Sequence, residues 1–253
     1  MADEAINRAL RWRMIERHLE RSEPILCVGG GTGAFSIPLS ERGFSVAHLD
    51  FSPRTLDLVC EKAGDRRNMQ FVEVNATNLA RSADCSFDLV LDMDGVISFS
   101  GSQAERAILE SVRVTRRKLS VTVTNRTLMI SVFCSAGLEV SGRFVDALFA
   151  MWERGEWHQS QFADNSQLSK GMTWDYCGAL NAFLPGELRE LFEGAGMRVL
   201  RCGGLGSLAL LCGPETVDRV SQDAGLFGQF VDLCERYDRA VIPDGPGTRQ
   251  RAD

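Results

Sequence analysis

Apolar residues along this chain switch between a helical and a strand period, and the switches divide it into elements. Ile6, Leu10, Met14 and Leu19 recur at helical spacing among Arg and Glu, which predicts an amphipathic helix over 3–20. Pro24 ends that pattern. The short apolar run 25–28, closed by glycines, reads as a strand buried on both faces. Residues 33–43 predict a helix stopped by Gly43, and 45–50 a second strand ending in Asp50. Ser52 before Pro53 combines an N-cap with proline at the first helical position, so a helix is expected to about Ala63. Strands follow at 69–74 and 87–91. A helix over 102–117, whose ArgArgLys end at 116–118 complements the helix dipole, then leads into a β-branched strand at 119–124.

Strands and helices that alternate in this way predict an α/β fold, a doubly wound and mostly parallel sheet with right-handed crossovers. Between 127 and 182 the rhythm lapses, in a stretch that carries three of the four Trp. Pro185 restores a helix ending at Gly194 or Gly196, followed by a sixth strand at 197–202. Beyond it two readings stand: a hairpin into a strand at 207–212, or helices over 209–240 with the last strand weak or missing. The expected organisation is an N-terminal helix (1–21), an α/β core (22–126 and 183–212), an inserted aromatic-rich lid segment (127–182), and a helical C-terminal extension and tail (213–253).

At 253 residues, 44% hydrophobic and 25% charged, the composition is that of a globular protein. No apolar run approaches the roughly 18 residues of a membrane span, so no membrane partner is expected. The net charge of −6 has the wrong sign for neutralising phosphates, which argues against a nucleic-acid partner. The eight cysteines form no CxxC pair and no cluster with histidine, so they predict reduced thiols and no metal site. With no secretory pattern at the N-terminus, the expected location is cytoplasmic.

The sharpest chemical signal is the glycine string at 28–33, placed after the first strand and opening a helix. Gly29, Gly31 and Gly33 allow a tight turn, close approach of a ligand, and unshielded N–H groups at a helix start. Asp50 ends the second strand, seventeen residues after Gly33, where a carboxylate can accept both ribose hydroxyls of an adenosine. Its plainer alternative is a cap for the helix at Ser52. Together the two features suit a nucleoside cofactor. The dinucleotide fingerprint tolerates Ala34 at its third glycine, so spacing alone leaves the kind of cofactor open.

Four linked blocks resemble the class I S-adenosylmethionine-dependent methyltransferases, across roughly 22–126 and 183–206. Residues 25–33 are similar to the family's first motif, with Cys27 where an acid is usual. Asp50 with Phe51 behind it is similar to the second. Residues 71–79 are similar to the third, where Asn75 stands in place of the commoner Asp, and 87–95 to the fourth-strand motif. The resemblance implies S-adenosylmethionine as cofactor, held by Gly29, Gly31, Thr32, Gly33, Asp50, Phe51, Asn75, Ala76, Asp92 and Met93. It also implies a small-molecule substrate, with Asp94 beside it at the exit of the fourth strand, unless Asp94 before Gly95 only makes a turn.

Among the three histidines, His18 and His48 read as structural. His158, in the insert, is the candidate general base, against the alternative of an exposed loop histidine. Trp152, Trp157, Trp174 and Tyr176 are candidates to line a substrate lid, or else simply pack the insert onto the sheet. The expected function is methyl transfer to an N, O or C atom of a small organic acceptor in specialised metabolism, with a homodimer allowed. An NAD(P)-dependent oxidoreductase and a non-catalytic cofactor-binding partner subunit are the alternatives.

Overall fold

The computed structural model describes residues 2–20, 23–141, 144, 146–158 and 179–241. The chain divides into two compact units, residues 20–197 and residues 1–19 with 198–253. The expected core segment 183–212 is therefore split at Met197.

The larger unit is built on five parallel strands in the order β3-β2-β1-β4-β5: β1 (Pro24–Val28), β2 (Ser45–Asp50), β3 (Met69–Glu73), β4 (Phe87–Asp92) and β5 (Thr115–Val121). Helices α2 (Ser36–Glu41), α3 (Pro53–Ala63), α4 (Val96–Phe99) and α5 (Ala104–Val114) form the connections. The central strands β1 and β4 bury Ile25, Leu26, Leu89, Val90 and Leu91, as expected for strands covered on both faces. Ser52 caps α3, accepting from the Thr55 N–H at 3.3 Å, with Pro53 at its first position.

Two expectations need correction, and one open alternative is decided. The last strand starts at Thr115, not 119, so Arg116, Arg117 and Lys118 lie in β5 rather than closing a helix. They are held by carboxylates: Arg116 by Asp88 (3.1 Å), and Arg117 and Lys118 by Glu20 (2.6 Å each). In the observed sheet β5 is an edge, where charged side chains can reach water and carboxylates. Secondly, residues 197–204 form no strand, and no described strand offers them a ladder partner. Thirdly, 207–212 is helical, the second of the two readings.

The insert comprises α6 (Arg126–Ser141), α7 (Asp146–Arg154) and the antiparallel pair β6 (Glu156–His158) and β7 (Ala179–Asn181). After it, α8 (Pro185–Gly194) starts at its proline as expected. The pair β6–β7 packs on α4 and on the 3₁₀ turn Gly101–Gln103, where Gly101 leaves room for Ala179. Arg126 fastens the insert. Its guanidinium donates to both Glu187 oxygens (2.8 and 2.6 Å) and to the Ala182 carbonyl (3.2 Å).

The smaller unit joins α1 (Ala2–Glu16) to α9 (Ser207–Cys212), α10 (Pro214–Ser221) and α11 (Ala224–Val241) around Ile6, Leu10, Ala209, Val217, Phe230, Val231 and Cys234.

Candidate functional site

In a parallel sheet, chain crossovers open a crevice at the carboxyl ends of neighbouring strands, and β1, β2 and β4 supply it here. After Val28 the backbone turns through Gly29, Gly31 and Gly33, all with positive φ (57°, 54° and 86°). A Cβ at Gly29 would run into Val96, so the turn and the start of α4 touch. A Cβ at Gly31 would meet nothing within 4 Å, which leaves that side of the turn open to a ligand.

Two hydrogen bonds tie the turn to β2. The Gly30 N–H donates to the Leu49 carbonyl (2.8 Å), and the Gly31 N–H donates to Asp50 Oδ2 (3.0 Å). Asp50 Oδ1 accepts from the Ser52 N–H (2.9 Å). Asp50 thus braces the start of α3, as its plainer alternative required, and it also meets the glycine turn. At 7% exposure it is nearly enclosed. Each oxygen still has an acceptor position to spare, enough for the two hydroxyls of a ribose.

Phe51 follows with 72% of its surface exposed, and Thr32 is exposed at the turn. On the loop after β3, Asn75 Oδ1 accepts from both the N–H and the hydroxyl of Thr77 (2.9 Å each). A backbone N–H can only donate, so the atom facing it is the oxygen, which leaves the Asn75 amide nitrogen as a donor for a ligand. Ala76 is buried beside it.

The β4 exit departs from expectation. Asp92 is not open to the crevice: it is fully buried, its Oδ2 accepting from the Ser111 hydroxyl (3.0 Å) on α5. Strand alternation sends it to the α5 side of the sheet. Its Oδ1 has no hydrogen-bond partner of normal geometry, and burial pushes its pKa up to about 7. Met93 is buried as well. Asp94 is exposed in a left-handed turn (φ 62°), and its N–H donates to the Thr122 hydroxyl (2.8 Å), joining the exits of β4 and β5.

The aromatic residues of the insert do not act as one group. Trp157, 4% exposed, sits in the insert's own core with Met129, Leu148, Met151, Leu180 and Ala182, so it packs the insert rather than lining a lid. Trp152 is 64% exposed on α7. The backbone of His158 pairs with Ala179, while its side chain, Trp174 and Tyr176 lie outside the described residues. A cleft of about 350 Å³ near the insert is lined by Arg126, Arg154, Asn181, Phe183, Glu187 and Leu191, and its guanidiniums are already paired with carboxylates.

The sequence reading missed two features. Arg126 and Glu187 are 61 residues apart, and no local signal links them. His48 lies two residues before Asp50, so strand periodicity puts both on one face of β2.

Residues 25–118 match a family described as a methyltransferase domain. The chain is similar to a magnesium-protoporphyrin O-methyltransferase of Rhodobacter capsulatus, 26% identical over 109 residues, or 43% of this chain and 48% of the relative. It thus spans about half the length of the curated relative it matches. Among solved structures it is similar to magnesium protoporphyrin IX methyltransferase from Synechocystis with bound SAH (16% identity, 80% of this chain and 75% of that one, TM-score 0.53). It is also similar to a SAM-dependent methyltransferase from Methanosarcina mazei (19% identity, 72% and 82% covered, TM-score 0.50). At those identities the structures speak to the fold alone. The matched stretch contains both the glycine turn and the acid at the end of β2, so the part of this chain that is similar to a methyltransferase domain is the part that carries the candidate site.

Proposed function

We propose that this protein transfers a methyl group from S-adenosylmethionine to a small organic acceptor, in the cytoplasm and without a nucleic-acid partner. The observation that carries the reading is the Gly31–Asp50 hydrogen bond on a turn whose outer side is open. Asp50 grips the ribose diol, Asn75 offers its amide nitrogen to the purine, and Phe51 supplies an apolar face to it. When bound, the cofactor supplies a sulfonium-activated methyl group. The chain's own task is then to hold the acceptor atom in line at near-attack distance, which asks for placement more than acid–base chemistry. An O–H acceptor would also need its proton taken, and His158 is the candidate base. The similar protein from Rhodobacter capsulatus is named for an O-methylation of magnesium protoporphyrin, an acceptor of the small-molecule class.

No helix among the described residues is long and apolar enough to cross a membrane. Isothermal titration tests the core of this reading. Micromolar binding of S-adenosylhomocysteine with none of NADH is the expected result. Binding of NADH alone would favour the oxidoreductase alternative and overturn methyl transfer.

A further inference from the structure

His48 is fully buried at the base of the glycine turn, on the face of β2 that also carries Asp50. Its ring occupies the space that a side chain at position 30 would need: a Cβ on Gly30 would lie 2.5 Å from Nδ1. The Ser36 hydroxyl, at the start of α2, is 2.8 Å from Nδ1, and the Phe71 ring of β3 lies against the imidazole with centroids 5.7 Å apart. Nε2 is buried without a hydrogen bond of normal geometry, and the Gly31 backbone lies close to the ring. Burial pulls the His48 pKa below the ordinary imidazole value, against the neighbouring Asp50 carboxylate, so the ring is neutral at neutral pH.

This set of contacts is more specific than a core filler requires. A leucine or valine would fill β2 as well, but neither would reach Ser36 while leaving a flat ring under Gly30. The imidazole touches the turn at Gly30 and, through Ser36, the helix that follows the turn.

We propose that His48 is a positioning residue for the cofactor: wedged under Gly30 and hydrogen-bonded to Ser36, it sets the height of the Gly29–Gly33 turn at which the Gly31 N–H meets Asp50. The proposal rests on the cofactor reading above and extends it to a residue that touches neither ribose nor purine. Without the ring the turn sinks toward β2, the Gly31–Asp50 bond loosens, and the amides no longer present one surface to the nucleoside.

The test compares His48→Ala and Ser36→Ala with the unaltered protein, using amide hydrogen exchange without ligand and titration with S-adenosylhomocysteine. In His48→Ala the Gly31 amide should exchange at least about 10-fold faster while β4 amides keep their protection, since local opening is separable from global unfolding. Its affinity for S-adenosylhomocysteine should fall about 10-fold, and that of Ser36→Ala about 3-fold, the scale of one or a few lost hydrogen bonds. Unchanged Gly31 exchange in both variants overturns the proposal. So does a uniform loss of protection across β1 and β4, which would mark His48 as ordinary core. If His48→Ala does not fold, Ser36→Ala decides by the same two readings. Should the unaltered protein fail to bind S-adenosylhomocysteine, the cofactor reading falls, while exchange at Gly31 still decides whether His48 sets the turn.

Discussion

The two units of this protein use buried acids in opposite ways. In the helical unit the buried carboxylates are committed to structure. Glu235 on α11 accepts from Arg17 (2.9 Å) and Arg239 (2.6 Å), with Arg13 and Arg201 each at 3.6 Å. Asp238, one turn further on, accepts from the N–H groups of Gly206 (2.8 Å) and Ser207 (3.0 Å) and so starts α9. In the sheet unit Asp50 is nearly as enclosed, yet it lies at a crevice beside an open glycine turn and keeps acceptor capacity. Burial of an acid therefore does not mark a site. What marks it is acceptor capacity left over where a ligand can arrive.

Asp92 is the residue that can break this comparison, since it is a fully buried acid of the sheet unit, at the carboxyl end of β4, whose Oδ2 accepts from Ser111. Because burial raises its pKa to about 7, the folded state holds that proton more tightly than the unfolded chain does. Its contribution to stability is fully present below the ordinary carboxylate range and is lost as pH rises through about 7. Relative to Asp92→Asn, the native protein should lose up to about 4 kcal/mol of stability between pH 4 and 8, as read by urea denaturation. Parallel pH profiles for the two proteins would show that Asp92 is not held protonated, and would undo its contrast with Asp50.

Asp50→Ala sharpens the comparison from the other side. It should weaken S-adenosylhomocysteine binding by about 2 kcal/mol, roughly 30-fold in titration, for the loss of charge-assisted hydrogen bonds. Unaltered affinity would leave Asp50 as a brace for α3 and nothing more. Glu235→Gln should do the reverse, lowering unfolding stability by about 1 kcal/mol with no change in cofactor affinity. Hydrogen bonding from Arg17, against the cost of burial, draws the Glu235 pKa down to about 2, with Arg239 adding to the effect. Its stabilisation is present above the usual carboxylate value and should disappear as pH falls toward 2. The smallest change is expected from Asn75→Ala, about 3-fold weaker titration of S-adenosylhomocysteine for one lost neutral hydrogen bond.

The alternation of apolar runs with amphipathic stretches, the Ser52–Pro53 start of α3, the glycine turn and Asp50 at the end of β2 were legible in the amino-acid sequence because each depends on neighbours within a few residues. A proline, a glycine or a strand's period acts locally, and local rules survive folding. The tertiary structure decided what depends on distant partners. The helical state of 207–212 comes from Asp238, whose carboxylate satisfies the N–H groups at its start. That α5 covers the face of β4 carrying Asp92, so that Ser111 meets its carboxylate, is a matter of packing, and Trp157 became core once β7 closed over it. His48 shows the same division within one residue. Its face of β2 follows from a period of two, but its place under Gly30 and against Ser36 exists only after β1, β2 and α2 have come together, because contacts between separate elements are set by packing and not by sequence neighbours.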